Sequence, residues 1–415
     1  MKARFLNNII KVKNNSKLGR IIILTGARQT GKTTLAKNSF PEYKYISIED
    51  PILRSEYVKL TSKQWQESYP NAILDEVQKE PILIESIKAV YDQFQNTKYI
   101  LLGSSQILLL QKVKESLAGR CSIYEVFPLT LPEIATSSWD VEPELSFFQS
   151  FIKTFDIPSF LPSFTLYDKY SDSIKIFEEY LKFGGYPAII DDEISDNDKR
   201  EWLYNYIRTY LERDIRDLVE IKNLEPFIKI QKTTSMLTGC ILNFSQLAKE
   251  ANVSSNTAQR FLNYLELSYQ TILIKPWHKN NLKRLNKTAK LHYLDPGIQR
   301  TILKKQGQLT GNEFESAIVA EIYKQIKCIN IETELYHLRT FDGREIDLLI
   351  EMENGYIAIE IKMTSNANIY DAKHIKGLED ILDKPLLHSF IISNDMSIKT
   401  FLPKITALPA AMFLT

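Results

Sequence analysis

Gly26-Ala27-Arg28-Gln29-Thr30-Gly31-Lys32-Thr33 follows directly on the apolar run Ile21-Ile22-Ile23-Leu24. The spacing is G-x-x-x-x-G-K-[ST] between a strand and a helix, where backbone N–H groups and the positive end of a helix dipole converge on a polyphosphate. Gly26, Ala27, Arg28, Gln29, Thr30, Gly31, Lys32, Thr33 and Thr34 are therefore the expected cradle for ATP. Lys32 is expected to reach the β- and γ-phosphates and the Thr33 hydroxyl to hold Mg²⁺. An ordinary turn is the competing interpretation, and the flanking strand and helix weigh against it.

Working outward, Tyr43 to Ile48 reads as the next strand, and Ala72-Ile73-Leu74-Asp75-Glu76 as an apolar strand ending in two acids. Buried strands often end in exposed acids. Asp75, 43 residues after Lys32 in the same α/β unit, is nonetheless expected to hold the Mg²⁺ shell, with Glu76 orienting the attacking water. A third strand, Tyr99 to Leu102, ends in Gly103-Ser104-Ser105, which places Ser104 where a polar group senses the γ-phosphate. Arg120 closes Ser116-Leu117-Ala118-Gly119-Arg120. It reads either as a favourable charge at a helix C-terminus or as an arginine finger, acting in its own subunit or on a neighbour in a homo-oligomer.

These motifs, with Gly184-Gly185-Tyr186-Pro187 and Glu212-Arg213-Asp214, resemble a prokaryotic family of AAA-type ATPases. The resemblance covers nearly the whole chain. It implies a P-loop core followed by a carboxy-terminal domain of unknown function that contains a nuclease-like fold.

Length and composition are consistent with several domains. The 415 residues are 44% hydrophobic and 25% charged, with a net charge of +1, so any nucleic-acid argument must come from local clusters. Three scattered cysteines give no metal-ligand spacing, the first twenty residues lack the apolar core of a signal peptide, and no apolar run is long enough to span a bilayer. The cytoplasm is the expected location.

Residues 131–222 read as an aromatic-rich helical lid, in which Arg213 and Arg216 are either sensor arginines or partners of the neighbouring acids. Residues 223–300 carry the order of a winged helix-turn-helix: a helix, Phe244 to Ala251, a turn at Asn252-Val253-Ser254, a helix from Ser255, then two strands. Between Leu267 and Leu294 there are six basic residues and no acid. Arg260, Lys275, Lys279, Lys283, Arg284 and Lys287 are the expected contacts to DNA phosphates, protein docking being the alternative.

In residues 301–415, Asn312 is expected to cap a helix on which Glu315 shares a face with Val319, Ile322 and Ile326. Asp347 lies on one following strand and Glu360 and Lys362 on the next, matching the PD-(D/E)XK nuclease pattern, except that Glu345-Ile346 stands where a proline is usual. Glu315, Asp347 and Glu360 would bind Mg²⁺, and Glu360 and Lys362 would serve phosphodiester cleavage. The expected architecture is thus α/β throughout: a P-loop NTPase parallel sheet (1–130), a helical lid (131–222), a winged helix-turn-helix (223–300) and a restriction-endonuclease-like domain (301–415). The function expected of it is a Mg²⁺-dependent ATPase controlling a DNA-binding, nuclease-like half. The alternative is an ATP-switched binding protein in which the carboxy-terminal acids are structural.

Overall fold

The computed structural model describes residues 1–103, 113, 115–157, 168–211, 224–280, 288–341 and 343–415. Ser104, Arg213, Arg216, Lys283, Arg284 and Lys287 lie outside the described residues.

Strands β1 (Ile21–Thr25), β2 (Lys44–Ser47), β3 (Asn71–Asp75), β4 (Lys98–Gly103) and β5 (Cys121–Glu125) form a parallel sheet in the order β2-β3-β4-β1-β5. Parallel strands need crossovers that cover both faces, which is why β1 is apolar without alternation. Ile21 and Ile23 enter one core with Leu74 and Ile87, whereas Ile22 and Leu24 enter another with Leu35 and Ile73. Because β1 and β3 run the same way on either side of β4, the loop after Thr25 and the acids after Leu74 share one edge of the sheet.

A second sheet has nine strands: β6 (Cys240–Ile241), β7 (Thr271–Pro276), β8 (Lys290–Tyr293), β9 (Glu334–Arg339), β10 (Glu345–Met352), β11 (Gly355–Lys362), β12 (Leu386–Ser393), β13 (Lys399–Leu402) and β14 (Ile405–Pro409). Their order is β13-β14-β12-β11-β10-β9-β7-β8-β6. The seam is the parallel pair β7 and β9, with Lys275 opposite Tyr336 and Pro276 opposite His337. Trp277 reinforces it by donating from its backbone to the His337 carbonyl at 2.7 Å and from its indole to the Tyr356 hydroxyl at 3.1 Å. The expected boundary at 300/301 therefore falls inside one continuous sheet.

Helix Gly311–Cys328 lies across this sheet, its Ile318 and Ile322 in one core with Ile357, Ile359 and Ile361. Its cap is Thr310, which forms a capping box with Glu313, so Asn312 falls in the first turn instead. Both faces of β11 are covered, and Glu360 is 1% exposed. The helices between the two sheets pack onto the second one: Phe148 and Phe151 of helix Phe147–Thr154 meet Phe413 at 5.4 Å and Phe390 at 4.9 Å.

The turn Gly184-Gly185-Tyr186-Pro187 joins three regions. Leu129 donates to the Gly185 carbonyl at 2.7 Å, and the Asp295 carboxylate accepts from Gly185 at 2.8 Å and Ile298 at 3.1 Å. Gly184 has φ 78°, and a Cβ there would overlap the Asp295 carboxylate, so only glycine fits.

Candidate nucleotide site and carboxylate cluster

The phosphate loop runs from Gly26 to Gly31, and Lys32 opens helix Lys32–Ser39. Gly26 has φ 147°, and a Cβ there would overlap the Val126 carbonyl oxygen. That close approach fixes the loop against the end of β5. Thr30 donates to the Ala27 carbonyl at 2.9 Å, and the Lys32 ammonium bonds the carbonyls of Gly26 at 2.9 Å and Ala27 at 2.7 Å. Lys32 is 7% exposed, so its charge is held within the loop's own curvature.

Across β4, the Thr33 hydroxyl donates to Asp75 Oδ2 at 2.7 Å, and the Tyr45 hydroxyl donates to the same oxygen at 2.9 Å. Burial and the Asp75 charge push the Tyr45 phenol well up, so it stays a donor. Glu76 follows in the left-handed region at φ 57°, its N–H bonded to Asp75 Oδ1 at 3.0 Å and its carboxylate held by the Gln78 amide. A non-glycine residue in that conformation turns the chain sharply at the strand end and directs consecutive acids differently.

Three further contacts tie the loop to distant parts of the chain, and nothing in the local motif announces them. The Arg4 guanidinium donates to the Thr30 carbonyl, to the Phe127 carbonyl at 2.9 Å and to Glu133 at 3.1 Å. Glu133, 1% exposed, also accepts from the backbones of Phe5 at 3.1 Å and Thr130 at 3.0 Å. Tyr206 donates to the Arg28 carbonyl at 3.1 Å while its ring stacks on Trp202. Tyr269 bridges Thr25 at 3.3 Å and Glu125 at 3.2 Å, beneath the loop. The pattern Thr130-x-x-Glu133 is the one sequence signal that hints at any of these partners. Beside the loop lies a cavity of about 920 Å³ lined by Arg4, Gly31, Thr34, Tyr180, Pro187 and Lys199.

Arg120 lies elsewhere. It precedes β5, its carbonyl accepts from Ile21, and its guanidinium takes Asp92 in two bonds of 2.7 and 3.1 Å. The phosphate loop leaves the opposite end of the neighbouring strand, roughly 16 Å away at the usual rise per residue.

Where helix Gly311–Cys328 meets the second sheet, Glu315, Asp347, Glu360 and Lys362 come together, and a fifth residue joins them. Lys290 of β8 reaches Glu315 at 2.6 Å, Asp347 at 3.5 Å and Glu345 at 3.6 Å, with its side chain 4% exposed. Lys362 reaches Glu360 at 2.8 Å and Asp347 at 3.6 Å, and Asp347 Oδ2 also accepts from the Ile361 backbone at 2.9 Å. Burial and the nearby Asp347 push both Glu315 and Glu360 up to about 8. His292, wholly buried and beside Lys290, is driven well down and stays neutral. Among the described residues no three His, Cys, Asp or Glu side chains form a group able to hold a metal ion. Within the expected metal set of Glu315, Asp347 and Glu360, the Lys290 ammonium stands between the first two acids.

Of the expected DNA contacts, Arg260, Lys275 and Lys279 are exposed, as are Ser255, Asn256, Gln259 and Asn263 on helix Ser255–Leu267. Lys290, the last cation of the basic run, is turned inward and is lost to that surface.

A glycine-bounded phosphate loop on a five-stranded parallel sheet, with an acid pair at the end of β3, has the fold of the P-loop nucleoside triphosphatases. Residues 18–135 match the AAA domain family. Residues 174–309 and 310–413 match two domains of unknown function, DUF8612 and DUF4143. An uncharacterized protein of Mycobacterium tuberculosis is 26% identical over 84% of this chain and 71% of its own length. Another, from Methanocaldococcus jannaschii, is 25% identical over 85% of this chain and 76% of its own. Among solved structures, the Walker-type ATPase of Pyrococcus abyssi covers 72% of this chain and 94% of its own at 15% identity, with a TM-score of 0.44. No helix among the described residues is long and apolar enough to cross a membrane.

Proposed function

We propose that the chain is a Mg²⁺-dependent ATPase whose nucleotide state is transmitted to a DNA-facing carboxy-terminal half. The observation that carries this proposal is the Thr33 to Asp75 hydrogen bond of 2.7 Å on the edge that also presents Lys32 and Glu76. Thr33 in the first turn of helix Lys32–Ser39 and Asp75 at the end of β3 offer hard oxygen donors on one edge of the sheet, which fits Mg²⁺. When bound, the ion offsets charge on the β- and γ-phosphate oxygens. Lys32 gives up its loop carbonyls for phosphate oxygens. Glu76 orients a water whose oxygen attacks the γ-phosphorus while its carboxylate takes the water's proton, and the β–γ bridge breaks with its electron pair leaving on ADP. The adjoining cavity is large enough for the nucleoside.

Movement of the loop is felt through Arg4, Tyr206 and Tyr269, because each bonds the loop or its supporting strand. For Arg120, the distance to its own loop favours a role on a neighbouring copy. Reading residues 223–300 as a winged helix is supported by the element order and by the exposed Arg260, Lys275 and Lys279. Phosphate release from ATP by the full chain, set against Lys32→Ala, is the deciding experiment: equal rates from the two proteins would end the proposal. A salt series on duplex DNA tests the output, since several phosphate contacts make affinity fall steeply with log salt.

A second interpretation of the carboxy-terminal part, as a nuclease-like fold without catalysis, is favoured by one observation, the burial of Lys290 among the acids.

A further inference from the structure

The carboxylate cluster has the residue types of a divalent-cation site but not the space for the ion. Glu315 Oε1 lies 2.6 Å from Lys290 Nζ, and Asp347 Oδ1 lies 3.5 Å from it. Mg²⁺ takes oxygen ligands at about 2.0–2.1 Å with near-octahedral geometry, so ion and ammonium compete for the same few ångströms. The lysine is anchored from behind: Lys290 pairs with Ile241 of β6 and Ile274 of β7, in the middle of a three-stranded ladder. An ammonium has three donors, and three carboxylates, those of Glu315, Asp347 and Glu345, stand around this one. Lys362 stands in the same relation to Asp347 and Glu360. His292 lies against Lys290 without any hydrogen bond to its ring nitrogens among the described residues, so the positive charge of this pocket is carried by lysine and not by histidine.

We propose that Lys290 is a built-in cation: it occupies the position a divalent ion would take between Glu315 and Asp347 and keeps the cluster metal-free while β8 is seated. The carboxylates then act as a socket joining residues 240–293 to the sheet that follows. Lys290 carries through this socket the charge complementarity that a metal supplies elsewhere. The inference deepens the non-catalytic interpretation of the carboxy-terminal fold and is independent of ATP turnover.

The test is Mn²⁺ binding followed by electron paramagnetic resonance on the full chain without nucleotide, with circular dichroism to check folding. Wild type and Asp347→Asn are expected to give the same titration, because no ion is held at the cluster. Lys290→Met is expected to gain one Mn²⁺ site at least about tenfold tighter than any in wild type. That site should vanish in Lys290→Met/Asp347→Asn and be absent in Lys290→Arg. A wild-type site abolished by Asp347→Asn overturns the proposal, as does a folded Lys290→Met that gains nothing. If Lys290→Met does not fold, the comparison of wild type with Asp347→Asn decides alone. Loss of ATPase activity with these outcomes intact would count against the proposed function and leave this inference standing.

Discussion

The Tyr206 hydroxyl donates to the backbone carbonyl of Arg28 at 3.1 Å, joining residues 178 positions apart at the outer curve of the phosphate loop. A neutral hydrogen bond of this kind contributes about 0.5–1.5 kcal/mol net. Tyr206→Phe keeps the ring on Trp202 and removes only the donor, so nucleotide affinity is expected to weaken by about 2- to 10-fold with little change in melting temperature. Titration of a fluorescent ATP analogue measures it. Tyr204→Phe, at an exposed position on the same helix, should change nothing.

Binding and turnover should separate at the strand ends. Lys32→Ala is expected to abolish ATP binding. Glu76→Gln should retain ATP but slow phosphate release by about 10²-fold or more, as for loss of a water-orienting carboxylate. Equal loss of binding in both variants would assign Glu76 to the structure of the loop.

Arg120 offers a mixing experiment. It faces Asp92 at the far end of the sheet from its own loop. Arg120→Ala and Glu76→Gln, each inactive alone, should recover activity when mixed, because one copy contributes the loop and the other the arginine. A mixture as inactive as its components would sink the trans arrangement.

Arg4 and Glu133 form a buried pair, 7% and 1% exposed. Removing one partner strands the other charge, so Arg4→Ala is expected to lower stability by about 3–5 kcal/mol in urea unfolding. Arg4→Met/Glu133→Leu should recover part of that loss. If the double variant is as unstable as the single one, the cost comes from the lost bonds to Thr30 and Phe127 instead.

Stability should fall as pH rises from about 6.5 to about 8. Glu315 and Glu360 are pushed up to about 8 and Glu266 to about 7, so the folded chain holds protons that the unfolded chain releases near 4.5. Such groups favour the folded state less and less as pH climbs through that window. The buried histidines act in the other direction: His292, His337 and His388 are held down in the fold, so only the unfolded chain binds their protons, and this opposing effect fades as pH passes the ordinary imidazole value of about 6.5. Thermal melts across this range should show the decline, and Glu360→Gln should flatten it.

The two sites differ in how far they can be read from the sequence. The proposed nucleotide site is written in two short strings, 26–33 and 72–76, because a strand–loop–helix turn and a strand end are local structures. Asp75 then meets Thr33 because parallel strands on either side of β4 must end on the same edge. Arg4 and Tyr206 were not visible, since each acts on the loop from over twenty or over a hundred residues away. Lys290 is not legible either, for a related reason. In a run of cations without acids it looks like one more solvated charge, and only the pairing of β8 beside β7 turns it toward Glu315. Glu315, Asp347 and Glu360 were legible as a cluster, whereas the ion filling it was not.

The seam between β7 and β9 separates the unit of inheritance from the unit of folding. Family boundaries place a joint at 309/310, yet cutting there would leave the edges of β7 and β9 unpaired, each a template for pairing with a foreign strand. Neither fragment should survive alone as a soluble, cooperatively melting body, and recombination between relatives would have to carry residues 240–413 as one piece.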